Sequence, residues 1–164
     1  MPLMNSFHSY HSYSSNGLIY INNGYKFPNM HRWGPGVRDV YSLHYIVSGK
    51  GTLETRNTSF PLKAGESFVI LPYTEIYYYP DPQDPWEYVW IEFKGDEVPH
   101  LLSITEFAPD KPVAAEAPSN LEPMYGIASN ADAKPFEKMR SDAELRLLLS
   151  YRKSMPHSAN WRAS

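Results

Sequence analysis

The eight residues Trp86-Glu87-Tyr88-Val89-Trp90-Ile91-Glu92-Phe93 constrain this chain most. Successive side chains of an extended strand point to opposite faces, so Trp86, Tyr88, Trp90 and Glu92 share one side while Glu87, Val89, Ile91 and Phe93 share the other. Both sides are substantially apolar, and a strand of that kind is covered twice. The expected covers are a barrel interior on one side and a helix or second sheet on the other. Val89, Ile91 and Phe93 are ordinary packing material. Indole and phenol rings differ, because they join a flat apolar surface to a polar edge that wants a partner when buried. The face of Trp86, Tyr88 and Trp90 therefore suits a ligand with alternating CH and OH groups.

Other short strands surround this one. Arg38-Asp39-Val40-Tyr41-Ser42-Leu43-His44-Tyr45-Ile46-Val47 is dense in β-branched and aromatic residues, and Ser48-Gly49-Lys50-Gly51 breaks it. Thr52-Leu53-Glu54-Thr55 reads as its hairpin partner, followed by a turn at Asn57-Thr58-Ser59. Ser67 to Leu71 opens after Gly65 and closes at Pro72, and Tyr77-Tyr78-Tyr79 ends at Pro80. Strands recurring at about 8 to 12 residues with turn signals between them argue for an all-β sandwich or barrel. Gly17-Leu18-Ile19-Tyr20-Ile21 reads as a first strand closed by a turn at Asn22-Asn23-Gly24. In the loop after Pro28, Trp33 either lines a mouth or caps the core, and Arg38 stands at the entrance of the next strand.

The chain has 164 residues, a net charge of −3 and no cysteine. That length is one domain and an appendage. Without a basic run, the electrostatic footprint of a nucleic-acid binder is missing. Without thiols, disulfides, iron–sulfur clusters and thiolate zinc sites are excluded. No apolar run reaches the length of a membrane span, and the first residues lack the pattern of a signal peptide, so the expected location is cytoplasmic with no membrane partner. Residues 1–16, rich in Ser, Tyr and His, show no period and read as an arm. Its His8 and His11 stand three apart, but the intervening and following serines disfavour the helix that would pair them on a metal.

Beyond Gly95 the period changes. Asp96 is placed to cap a short helix carrying Val98, Leu101 and Leu102, with Pro99 confining it to about one turn. Residues 108–118 form a proline-rich connector. Ser119-Asn120-Leu121-Glu122 has the pattern of a capping box and predicts a two-turn helix through Met124 and Tyr125. A last helix is predicted from Ala133 to Tyr151, capped by Asp132. Phe136, Met139, Ala143 and Leu147 make one apolar stripe and Leu145, Leu148 and Leu149 widen it, beyond what one small barrel face requires.

Three segments together carry a resemblance: residues 33–51, from Trp33-Gly34-Pro35-Gly36 to Ser48-Gly49-Lys50-Gly51; Leu62-Lys63-Ala64-Gly65-Glu66-Ser67-Phe68-Val69-Ile70-Leu71-Pro72; and the Trp86 strand with Lys94-Gly95. The chain resembles the N-terminal ligand-binding domain of AraC-type transcriptional regulators. That resemblance implies a mainly β fold, a cupin-like jelly-roll barrel followed by C-terminal α-helices. It divides the chain into an arm at 1–16, an effector-binding barrel at 17–95, a connector and helical dimerisation segment at 96–155, and a tail at 156–164 leading towards a DNA-binding domain. It further implies a sugar or related small effector inside the barrel, an arm that folds over it, a homodimer through the C-terminal helix, and DNA contact only through a helix-turn-helix domain absent from this chain.

The family's sugar-binding positions fall on Trp90 and Tyr88, in agreement with the strand period, and on Tyr79 of the preceding strand. Trp86 and Arg38 complete the expected ligand-binding set. Cupins that use a metal resemble one another in clustered histidines, whereas here the first strand offers only His44, so no metal and no cofactor is expected. His44 reads as a packed strand residue. Two other functions compete with the sensor. A cupin-type carbohydrate isomerase or epimerase needs an acid and base that the residues do not supply, and a pure dimerisation module needs a barrel filled by its own side chains.

Overall fold

The computed structural model describes residues 17–127 and 134–152. Nine strands form two antiparallel sheets that close on each other as a barrel. One sheet runs in the order β1 (Ile19–Lys26), β8 (Glu87–Lys94), β3 (Tyr41–Ser48), β6 (Ser67–Ile70) and β9 (Val113–Ala114). The other holds β2 (Trp33–Gly36), β7 (Ile76–Pro80), β4 (Lys50–Thr55) and β5 (Thr58–Lys63). Two helices follow, α1 (Val98–Ser103) and α2 (Pro135–Ser150). The mainly β barrel with C-terminal helices expected from the sequence is the observed architecture.

The two faces of β8 enter two separate cores. Trp86 and Tyr88 join Ile46, Leu53, Phe68, Ile76 and Tyr78 between the sheets. Val89, Ile91 and Phe93 join Leu43 and Tyr45 under a helical layer of Val98, Leu102, Leu145, Leu148 and Leu149. Full burial of side chains such as Leu145 and Leu148 contributes about 1.5–3 kcal/mol each. The helical layer is therefore as much part of the fold as the barrel.

Two expected turns are not turns. The segment around Asn22-Asn23-Gly24 lies inside β1, which stays paired with β8 through a bulge between Tyr20 and Asn22. Asn23 is held there by tertiary bonds, its Nδ2 donating to the carbonyls of Tyr125 and Ile127 at 2.8 Å each. Likewise β3 and β4 do not pair as a hairpin. At Gly49, with φ +72°, the chain passes from one sheet to the other, and a Cβ there would meet the backbone of Pro85 and Trp86. The hairpin is β4 with β5, closed by Arg56 and Asn57 at φ 50° and 62°, with Thr55 opposite Thr58.

The helices also depart from the sequence reading. Glu97, not Asp96, precedes α1, and Pro99 sits in its first turn, where a missing N–H costs nothing, so the helix continues to Ser103. The predicted two-turn helix is a single 3-10 turn, Glu122–Tyr125, in which Asn120 Oδ1 accepts from the Glu122 amide at 3.0 Å. Lys134 precedes α2; the predicted cap Asp132 and the first predicted residue Ala133 lie outside the described residues. Within α2 the predicted stripe is split. Ser141, Leu145, Leu148 and Leu149 are buried, whereas Phe136, Met139 and Leu147 face solvent, Met139 at 69% exposure.

Candidate functional site

A cleft of about 150 Å³ enters the barrel, lined by Lys26, His31, Trp33, Arg38, His44, Tyr78, Tyr88 and Trp90. Trp90 reaches it from β8, and Gly24 opposite on β1 leaves the space that its indole fills, since a Cβ at 24 would meet the ring. The imidazole of His44 lies beside Trp90, with ring centroids 6.4 Å apart and planes 22° from parallel, and stacks on Phe68 at 4.4 Å. Tyr78 and Tyr88 stand perpendicular to each other at 6.3 Å, and Trp33 lies parallel on Tyr78 at 5.8 Å. The cleft is thus walled largely by aromatic rings in mutual contact.

Two cations line the cleft, Lys26 and Arg38, and Arg38 is paired. Arg38 Nη1 donates to Glu92 Oε2 at 3.0 Å, and the guanidinium lies 5.0 Å from the Trp33 ring centre. The partner of Arg38 is Glu92, two residues beyond Trp90 on the same face of β8, and not its neighbour Asp39. His44, only 2% exposed, has its pKa lowered to about 3. Burial is the main cause and the Arg38 charge adds to it, against a hydrogen bond with the Ser42 backbone; the Ser42 Oγ stands 3.5 Å from Nδ1. The ring is neutral at ordinary pH and presents one donor and one acceptor nitrogen. Burial likewise raises the Tyr78 and Tyr88 hydroxyls, which stay protonated. Among the described residues, no three of His, Cys, Asp or Glu are grouped so as to hold a metal ion.

Of the five residues singled out by sequence, the cleft brings together Trp90, Tyr88 and Arg38. Tyr79 stands on the outer face of β7, where its hydroxyl donates to Glu54 Oε2 at 2.6 Å and Arg32 lies 5.3 Å from its ring centre. Tyr78 takes the inward place, because Ile76, Tyr78 and Pro80 are the buried set of β7 and Tyr78 pairs with the buried Leu53. Trp86 has the expected face but lies too deep. It is 2% exposed, packed on Phe68 at 5.8 Å, and fills the space left by Gly51 at the closed end of the barrel. His44 is packed, as read, and also lines the cleft. Trp33 does both things left open for it, since it covers the core and borders the opening. Lys26 carried no sequence signal, whereas His31 belongs to the Trp-bearing, basic loop after Pro28 that reads as part of a mouth; Tyr78 was legible from its alternation with Ile76.

Known proteins give this geometry a relative. Residues 25–149 match the AraC-like ligand binding domain. The raffinose operon transcriptional regulatory protein of Pediococcus pentosaceus is 37% identical over 94 residues, 56% of this chain and 34% of that protein. The Msm operon regulatory protein of Streptococcus mutans is 37% identical over 79 residues, 48% of this chain and 26% of that protein. A lactose operon transcription activator of Staphylococcus xylosus is 31% identical over 61 residues, 37% of this chain and 22% of that protein. Each match spans about a third or less of the relative's length. Among solved structures, a cupin protein of Bacteroides fragilis aligns over 54% of this chain and 75% of that chain, with 16% identity and a TM-score of 0.37. With the family match running from β1 to the end of α2, the chain belongs to the AraC-like ligand-binding domains.

Proposed function

We propose that this domain senses a carbohydrate effector for a transcriptional regulator of sugar-utilisation genes. The observation that carries the reading is the Trp90 indole, partly exposed in a cleft that it lines together with Tyr78, Tyr88, His44 and Arg38, the last held by Glu92 behind the wall. A sugar ring has an apolar CH face to lay on the indole and equatorial hydroxyls to exchange bonds with phenols, imidazole and guanidinium. Arg38 is neutralised by Glu92, which leaves Lys26 as the one unpaired charge on the wall among the described residues, a donor for a sugar hydroxyl. A cavity of roughly 150 Å³ admits one six-membered ring. The names of two relatives, a raffinose operon regulatory protein and a lactose operon activator, support a carbohydrate over other small molecules.

In this reading the domain is not an enzyme and uses no metal or cofactor. An isomerase or epimerase would need a poised acid and base. The neutral, deeply buried His44 and the Arg38-bound carboxylate of Glu92 are poor candidates for both roles. The sugar shifts an equilibrium between two states only by its differential affinity for them. The helix α2 offers an output, since its solvent face of Phe136, Met139 and Leu147 is suited to a second copy of the chain. DNA is contacted by a helix-turn-helix unit outside the matched residues, in the cytoplasm. No helix of the described residues is long and apolar enough to cross a membrane.

Intrinsic tryptophan fluorescence titrated with mono- and oligosaccharides tests the reading, with Trp90→Ala as control. A saturable change that vanishes in the variant is the expected result. Binding that persists undiminished in Trp90→Ala removes the cleft as the site.

A further inference from the structure

The cleft does not end at Trp90. Glu92 follows it on the same face of β8, about 7 Å further along the strand. Beyond the Arg38–Glu92 pair lies a second, open groove of about 390 Å³, lined by Val37, Arg38, Asp39, Val40, Tyr73 and Glu92. Arg38 lines both cavities and is the residue they share. The outer groove has the size of an ordinary small-molecule pocket, within the range of roughly 300–1,000 Å³. The inner one alone holds a single ring.

Tyr73 gives the outer groove its character. The ring is 76% exposed, on a residue with φ +61°, a backbone region that bulky side chains rarely enter. The residue follows Pro72 in a turn where glycine or asparagine is usual. Its backbone is fixed by a bond from the Tyr73 amide to the Arg38 carbonyl at 2.7 Å, which ties the turn to the segment carrying the ion pair. An aromatic ring kept out of the core, in an unfavourable backbone conformation, beside a donor and two carboxylates, is the arrangement of a stacking platform with polar edges.

We infer that the two cavities are successive subsites for one oligosaccharide, with a terminal sugar unit on Trp90 and the next unit across the Arg38–Glu92 pair against Tyr73. This rests on the carbohydrate reading of the inner cleft. The ligand class is then a di- or trisaccharide. Arg38 and Glu92 supply a donor and an acceptor to the linkage region from both sides.

Calorimetric titration of the whole chain separates the two levels. The probes are glucose, galactose and fructose, with maltose, maltotriose, lactose and raffinose as their longer counterparts. Tyr73→Asn removes the ring while tolerating positive φ, and Tyr73→Phe keeps it. The expected result is a longer sugar binding roughly five- to tenfold tighter than its terminal unit, the size of one aromatic contact. Tyr73→Asn removes most of that advantage and Tyr73→Phe retains it. A monosaccharide that binds as tightly as every longer sugar, or an advantage that survives Tyr73→Asn, overturns the second subsite and leaves the first intact. Failure of every sugar to bind overturns both.

Discussion

The indole of Trp90 occupies the volume that a side chain at Gly24 would need. The two residues face each other across β1 and β8, and a Cβ built on Gly24 would overlap the far edge of the ring. The position of the aromatic platform is therefore set by what its neighbour lacks. Gly24→Ala forces the ring to shift, an overpacking that costs about 1–3 kcal/mol. The expected outcome is a changed near-ultraviolet dichroism signal and at least tenfold weaker sugar binding in a chain that still folds. Unaltered affinity in Gly24→Ala would show that ligand binding does not depend on the seat of the indole.

Trp86 and Trp90 share a strand face and are expected to respond oppositely to truncation. Trp86→Ala opens a cavity at the closed end of the barrel and loses about 3–5 kcal/mol of stability, measured by urea unfolding. Trp90→Ala, which trims a partly exposed ring, costs less than that and abolishes the fluorescence response to ligand.

His44 makes stability depend on pH. Its folded pKa of about 3 lies below the ordinary 6.5, so between those values the unfolded chain binds a proton that the folded chain refuses. The contribution is complete above pH about 6.5 and is lost as pH falls towards 3, by up to about 1.4 kcal/mol per unit. Stability measured at pH 7 and at pH 5 is expected to fall more steeply in the natural chain than in His44→Gln, which cannot take the proton. Equal slopes would assign the acid sensitivity to other groups.

The two sides of α2 separate folding from association. Leu148→Ala empties a buried site and is expected to cost about 2–5 kcal/mol. Leu147→Glu changes a solvent-facing site and leaves the unfolding midpoint nearly unmoved, while sedimentation velocity is expected to show the proposed dimer shifted to monomer. A Leu147→Glu chain that sediments as the natural one does would remove this face from the dimer interface.

Arg152, at the end of α2, is 2% exposed, and its Nη2 donates to Ser67 Oγ at 2.5 Å. Among the described residues its Nε has no hydrogen-bond partner. Among the described residues no carboxylate forms an ion pair with this buried cation, so Arg152→Met is expected to be neutral or stabilising in thermal unfolding. A loss of several kcal/mol would show that the guanidinium has a partner of greater weight than Ser67.

What the sequence made legible follows from period. The alternation of β8 assigned Trp86, Tyr88 and Trp90 to one core and Val89, Ile91 and Phe93 to the other, because a strand buried on both faces has no other way to divide them. Depth along the strand was not legible, and so Trp86 was grouped with the cleft when it plugs the closed end. Three consecutive tyrosines carry no polarity pattern, so the phase of Tyr77, Tyr78 and Tyr79 is set by Ile76, Pro80 and the pairing with β4. Asn23-Gly24 has the chemistry of a turn, yet tertiary bonds to Tyr125 and Ile127 and the bulk of Trp90 claim both residues for a strand. Local propensity yields where side chains distant in sequence converge.

Because β8 is buried on both sides, the partition between the ring-walled cleft and the helical layer is one peptide backbone thick. Tyr88 and Trp90 touch the cleft, while Val89 and Ile91, the residues between and after them, press on the packing that carries α1 and α2. A change in the twist of this strand cannot be confined to one side. The barrel wall is also the floor on which the helices stand, and an occupant that tightens the one re-levels the other.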